Sequence, residues 1–179
     1  MRITALLVVA ALTSSVVWAK QSSNEELAEI TASDQADRRQ GPDKIDWVVV
    51  NQRDEQRRER VLQILKDGNI RTDSDYQNAA LVFQHGASAE DIRLAHALSQ
   101  VALKMNPNNR LAAWLSAASW DRLMLRLGQP QWYATQFVKR EGQWVLYEVN
   151  ETVVTDEERL RVGARTLAAA REHAKQMNR

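Results

Sequence analysis

The stretch from Leu111 to Gln136, LAAWLSAASWDRLMLRLGQPQWYATQ, decides how the rest of the chain must be arranged. Between Leu111 and Leu125 the residues are apolar or small on every face a helix could present, the pattern of a buried central helix rather than of an amphipathic surface one. Asp121 and Arg122 are its only charges. Arg122 falls on the i, i+3/i+4 row of Leu111, Leu115, Ala118 and Leu125, where an unpaired charge carries a desolvation penalty of several kcal/mol. Something must meet it. Gly128 stops the helix, and Gln129-Pro130 turns the chain into Gln131–Gln136, a short run dense in neutral hydrogen-bonding groups that reads as extended and as one wall of a polar pocket.

Working outward, the N-terminus has the marks of an export leader. Arg2 is a weak positive n-region, Ile3 to Leu12 an apolar core, and Val17-Trp18-Ala19 an A-x-A-like cleavage site. That core is short of the ~20 apolar residues a membrane span takes, so residues 1–19 are expected to be a signal peptide, with an uncleaved anchor as the alternative. Residues 20–179 form a single α-rich domain, exported to the periplasm or beyond, with no membrane span after cleavage. The chain has no cysteine, which excludes disulfides, thiolate chemistry and lipoprotein attachment. Loss of Arg2 brings the formal charge from +1 to zero. A neutral balance argues against nucleic acid, whose binding rests on Lys and Arg neutralising phosphates.

With 6 glycines and 3 prolines the chain is too poor in turn residues for a β-sandwich. Ser23 and Glu26 fit a capping box for a helix to about Arg39, ended by Gly41-Pro42; its apolar row of Leu27 and Ile30 continues through Asp34, Asp37 and Arg38. A second helix opens near Asp46 or Asn51 and ends at Gly68, its row of Val61, Ile64 and Leu65 running back through Asp54, Arg57 and Arg58. Thr72 and Asp75 open a third, ending at Gln84-His85-Gly86, and Ala89–Met105 is a fourth. That fourth helix, with the Asn106-Pro107-Asn108 corner and the central helix, resembles one tetratricopeptide unit. Phe137-Val138 and Trp144–Val149 form a hairpin about a Lys139–Gln143 turn, and Thr155 with Glu158 caps a last helix from about Asp156 to Lys175. The expected fold is mainly α: five or six helices in an orthogonal or hairpin array, one pair of them tetratricopeptide-like, with a small C-terminal β-hairpin.

Three segments therefore place charges where periodicity predicts core: Asp34/Asp37/Arg38, Asp54/Arg57 and Asp121/Arg122. Mixed signs allow a buried ion-pair network that holds helices in register. They also allow a site, with Arg122 and Arg38 gripping an anionic group. His85, at a helix end before glycine, is the candidate for proton transfer, histidine being the side chain that titrates nearest neutral pH. His96 reads as packing and His173 as surface. Trp114 and Trp120, at helical spacing, read as core, and Tyr133 rather than Trp132 is expected on the pocket side. No metal spacing, Gly-rich nucleotide loop or G-x-S-x-G elbow is present, so neither metal nor cofactor is implied.

DQADR (Asp34 to Arg38), FQHG (Phe83 to Gly86), DR (Asp121-Arg122) and GQPQWYATQ (Gly128 to Gln136), in this order, resemble a bacterial domain family of unknown function with D-Q-x-D-R, Q-H, D-R and G-x-P-Q-x-Y-G-T-Q boxes. The likeness runs from about Asp34 to Gly163, with Ala134 standing where the family's box has glycine. It implies a shared site of Asp34, Asp37, Arg38, Gln84, His85, Asp121, Arg122, Gln131, Tyr133 and Gln136, and no particular activity. In that set His85 and Asp121 are the catalytic candidates, Asp121 orienting a partner, and the others would bind ligand. Two functions remain open: a pocket that binds or turns over a small polar or anionic molecule, and a non-catalytic helical scaffold of the cell envelope whose ion pairs serve folding.

Overall fold

The computed structural model describes residues 22–40 and 44–179. The expected leader and the Gly41-Pro42 stop lie outside the described residues. Among these residues the chain forms seven helices and one hairpin: α1 (Glu25–Asp37), α2 (Trp47–Lys66), α3 (Asp73–Gln84), α4 (Ala89–Met105), α5 (Arg110–Arg126), β1 (Phe137–Arg140), β2 (Gln143–Leu146), α6 (Asp156–Arg161) and α7 (Leu167–Gln176). The fold is mainly helical with a small antiparallel hairpin towards its C-terminus. No helix among the described residues is long and apolar enough to cross a membrane.

The helix starts follow from their caps. Thr72–Asp75, Ser88–Asp91 and Thr155–Glu158 are reciprocal capping boxes. α1 differs from expectation: Asn24, not Ser23, is its cap, accepting a bond from Leu27 N at 2.9 Å. Asp75 does more than cap. Its carboxylate also accepts from Asn24 N at 2.7 Å and Arg71 N at 3.1 Å, which pins the start of α1 to the start of α3. Asp73 accepts from the Asn106 and Asn109 amides at 2.9 and 3.0 Å, drawing the α4–α5 corner onto the same helix start.

These ties make α3 the centre. α4 packs against both α3 and α5, while α1 and α2 cover the other side of α3. Leu27, Val61, Ile64, Val82, Phe83, Leu98 and Leu115 fill the space between them. α5 is not buried all round, as its sequence suggested. Ala112, Leu115, Ala118 and Ser119 face inward, but Leu111 and Trp114 are 41% and 38% exposed. The packed helices α3 and α4 cover only one side of it.

Two further expectations are corrected. The single last helix is split, because Gly163 adopts φ +80°, a left-handed conformation that terminates α6, and Thr166 caps α7 afresh. Asp156 then accepts from Leu167 N at 2.8 Å and holds the two pieces together. In the hairpin, Glu141 and Gly142 both have positive φ, so the turn has two residues and Lys139 and Arg140 belong to β1. β2 ends at Leu146, and the chain beyond it runs beside Gln131, which donates to Glu148 O and accepts from Asn150 N, each at 2.8 Å.

Candidate functional site

The charged rows of α1 and α2 meet. Arg38, the C-cap of α1, donates to Asp34 at 3.0 Å and to Asp54 through its other terminal nitrogen. Arg57 donates to Asp54 at 2.9 Å, to Asp37 at 2.6 Å and to Ser33 Oγ at 2.9 Å. Asp54 and Arg57 are thus interior, while most of Asn51–Arg60 faces water. The hydrogen bond from Arg57 holds the Asp37 carboxyl below its ordinary value, with Arg53 adding to it. Asp37 lines neither of the cavities described below, so the structure gives it an ion-pair role in place of the expected ligand contact.

Asp34 links this network to His85. Its side chain is fully buried and accepts from His85 Nδ1 at 3.0 Å and from Gln35 Nε2 at 2.8 Å. Burial pushes the Asp34 carboxyl up, but the bond and charge of His85, with Arg38 and Gln35, outweigh it, and the group lies below its ordinary value. His85 is the C-cap of α3. With Nδ1 held by a carboxylate, Nε2 is left without a protein partner among the described residues, the arrangement of an oriented acid–base imidazole.

Asp121 and Arg122, adjacent in sequence, diverge on α5. Asp121 is fully buried and accepts from Trp132 N at 2.8 Å, Tyr133 N at 2.9 Å, Thr135 N at 3.0 Å and Thr135 Oγ1 at 2.8 Å. Burial raises its carboxyl above the ordinary value, and these four donors pull the other way. The run Gln131–Gln136 is therefore not extended: it is a loop wound round this carboxylate, with Ala134 at φ +59°. The Ala134 methyl is buried with Leu167 and Ala170. Gln131, also fully buried, donates to Gln136 O and Tyr147 O at 3.0 and 2.9 Å and accepts from Gln136 N at 2.8 Å. Asp121 and Gln131 build the loop and do not face a cavity, and Tyr133 lines neither cavity with Arg122. The alternation argument that put Tyr133 on the pocket side fails because the backbone curls.

Arg122 donates to Gln84 O at 2.9 Å and weakly, at 3.4 Å, to Gln136 Oε1. It has no carboxylate partner among the described residues. Burial lowers its pKa, and the like charges of Arg126 and Arg38 lower it further. The main compensation is the carbonyl end of α3, whose dipole favours a cation.

Two cavities meet at this guanidinium. The larger, ≈ 950 Å³, lies between the end of α1, the first half of α2, the α3–α4 turn and the end of α5. Four arginines (Arg38, Arg58, Arg122 and Arg126) line it against two acids, Asp54 and Glu55, with Trp47 and His85. Asp54 is already neutralised by Arg38 and Arg57, and Arg58 lies 3.5 Å from Asp91. The smaller, ≈ 300 Å³, is lined by Gln84, Gln136, Thr135, Trp114 and Phe137 among others. Arg122 and His85 are the residues common to both.

No family model, curated protein or solved structure matches this chain. The site therefore stands on its own geometry. Of the expected residues, Arg38, Gln84, His85, Arg122 and Gln136 come together around the cavities, with Asp34 directly behind His85. No cluster of three or more His, Cys, Asp or Glu able to hold a metal occurs among the described residues. His96 packs as expected, its ring 5.5 Å from Trp120 and Nδ1 3.0 Å from Ser116 O. His173 is half-buried, edge-on to Phe137 at 5.4 Å. Sequence reasoning missed Arg126, Trp47 and Gly86 as cavity residues, and Arg159, which is buried and clamps Trp132 O at 2.9 Å. Arg126, one turn after Arg122, was the one with a legible signal. Gly86 has a packing reason, since a Cβ there would meet Asp91 Cβ at 2.2 Å.

Proposed function

We propose that this protein binds a small anionic molecule in the arginine-lined cavity, with Arg122 as the principal partner of the anion and His85 as the group that exchanges a proton or hydrogen bond with it. One observation carries the reading: a half-buried guanidinium that has two arginine neighbours and, among the described residues, no carboxylate partner. The fully buried charges, by contrast, are answered by the protein itself. Asp34 pairs with Arg38 and His85, Asp54 with Arg38 and Arg57, and Asp121 is saturated by its loop. An anion at Arg122 would relieve repulsion among Arg38, Arg122 and Arg126 and satisfy the remaining N–H groups of the fork in one step. His85, steadied by Asp34, would then donate from Nε2 to the same group.

The scaffold reading has its own support in the α1–α2 network, where all of Asp34, Asp37, Asp54 and Arg57 are used internally. Both readings apply, each to its own half of the polar interior. Export is supported by the leader-like residues 1–19, and it would place the ligand in the periplasm or outside the cell.

The test is a titration of the protein with millimolar inorganic phosphate, sulfate and succinate, followed by melting temperature and calorimetry. Binding is expected for at least one of them, to weaken as ionic strength rises, and to vanish in Arg122→Met. Absence of binding by all three, or binding undiminished in Arg122→Met, overturns the assignment.

A further inference from the structure

The smaller cavity holds a feature that the anion alone does not use. Gln84 is 3% exposed, lines this cavity, and its Oε1 is buried with no hydrogen-bond partner. Its Nε2 also donates to no protein atom among the described residues, and since only Oε1 is shut off from solvent, Nε2 is the end left open. Leaving an acceptor such as Oε1 buried and unpaired costs stability. The neighbouring side-chain amides and hydroxyl each already donate to a protein oxygen. Gln136 Nε2 donates to Ala118 O at 3.3 Å and Thr135 Oγ1 at 3.0 Å, and Thr135 Oγ1 in turn donates to Asp121. Gln35 is turned to Asp34.

We infer that the ligand is an anionic carboxamide: a molecule whose carboxylate or comparable anion meets Arg122 while a carboxamide or peptide group, a few bonds away, pairs with the amide of Gln84. This rests on the anion reading above and specifies its ligand class. The geometry supports the short spacing, because Arg122 Nη1 is 2.9 Å from Gln84 O and so lies beside the residue whose side-chain oxygen is unpartnered. An amide is the natural complement. It offers one acceptor and one donor to a partner offering the same, whereas a hydroxyl or an ether satisfies only part of the pair. Trp114 and Phe137 supply apolar walls that would face the carbon chain of such a ligand. Arg122 and His85, shared with the larger cavity, leave the anion in contact with the arginine cluster.

The experiment compares two monoanions of similar shape, succinamate and isocaproate, in which a carboxamide is replaced by an isopropyl group. Inorganic phosphate serves as the anion control. The expected result is that succinamate binds at least about tenfold more tightly than isocaproate, because a site built to hydrogen-bond rejects an analogue lacking the group. Gln84→Met is expected to abolish that difference while leaving phosphate binding intact, and Gln84→Leu serves as a second variant should the first not fold. Both variants are expected to melt no lower than the parent, since an amide whose oxygen is buried without a partner has been replaced by an apolar group.

Equal binding of the two monoanions overturns the carboxamide assignment and leaves the anion site standing. So does phosphate binding without binding of either organic probe, or a preference for succinamate that persists in both Gln84 variants. If neither monoanion binds, the carboxamide assignment falls, and if phosphate, sulfate and succinate fail to bind as well, both proposals fall together.

Discussion

Replacement of Arg122 by methionine separates a structural arginine from one held ready for a ligand. Methionine keeps the unbranched apolar stem of the side chain and removes its charge and its donors. Against the variant stands the charged hydrogen bond to Gln84 O at 2.9 Å, the kind of bond that contributes about 1.5–3 kcal/mol. In its favour stand the desolvation of an ion without a counter-charge, which amounts to a few kcal/mol in a folded protein, and release of the repulsion from Arg126 and Arg38. The two sides nearly cancel, and the net change should fall within about 1 kcal/mol of zero, against about 3–5 kcal/mol for an arginine taken from a buried ion pair. For a domain of this size 1 kcal/mol corresponds to about 2–4 °C in melting temperature. Thermal unfolding followed by circular dichroism should therefore place Arg122→Met within about 4 °C of the parent. The same melts with a bound anion sharpen the test. At a concentration near a hundred times its Kd an anion stabilises the parent by about 2.7 kcal/mol, and it should do nothing for the variant. A drop of about 10 °C or more in the variant without anion would show that Arg122 is part of the framework, and the reasoning from its lack of a partner would be wrong.

Three further outcomes follow from the same geometry. Arg57→Met should lower stability by about 3 kcal/mol, because it strands Asp37 and Asp54 in the α1–α2 interior; urea unfolding measures it, and a change within error would deny the network its role. Asp121→Ala should cost at least about 3 kcal/mol, because three backbone N–H groups and the Thr135 hydroxyl lose their acceptor, and near-ultraviolet circular dichroism should report loss of order at Trp132 and Tyr133. The pH dependence follows from Asp34, whose carboxyl is held below its ordinary value. Its stabilisation is complete above the unfolded aspartate value of about 3.9 and disappears as pH falls through the lower folded value. Acid unfolding of Asp34→Asn should accordingly show a shallower loss of stability below that point than the parent.

Much of the fold was legible because caps and periodicity are local. Thr72 with Asp75, Thr155 with Glu158, and the Asn106-Pro107 corner mark helix ends in any context that permits a helix. The inner-facing charges were legible for the same reason, since Asp54 and Arg57 share a row with Val61 and Ile64, and that row had to meet something. The pairing itself was not legible. Nothing local says that Asp37 would be used by Arg53 and Arg57, or that Asp34 rather than Asp121 would hold His85. The loop was misread because its shape is imposed from outside. Gln131–Gln136 has the composition of a strand with polar ends, and only a buried carboxylate on another element turns its backbone N–H groups inward. The split of the last helix turned on Gly163, a single residue within a strongly helical composition.

The fates of Asp121 and Arg122 explain why a central helix carries two charges at all. Consecutive residues on a helix point about 100° apart, so they address two different surroundings. Asp121 faces the loop and gathers four donors, which fixes the position of Thr135 and Gln136. Those two residues then close one side of the smaller cavity beside Arg122. Arg122 faces the cavity and, among the described residues, meets only the Gln84 carbonyl and, weakly, the Gln136 amide oxygen. Asp121 is thus a positioning residue: substitution there should weaken anion binding and stability together, whereas substitution of Arg122 should remove binding and spare stability. A protein that needed these charges only to fold would have paired them with each other or with Arg38 and Asp54 across the same interior. Among the described residues the structure instead completes every buried carboxylate and leaves the guanidinium between two cavities without one.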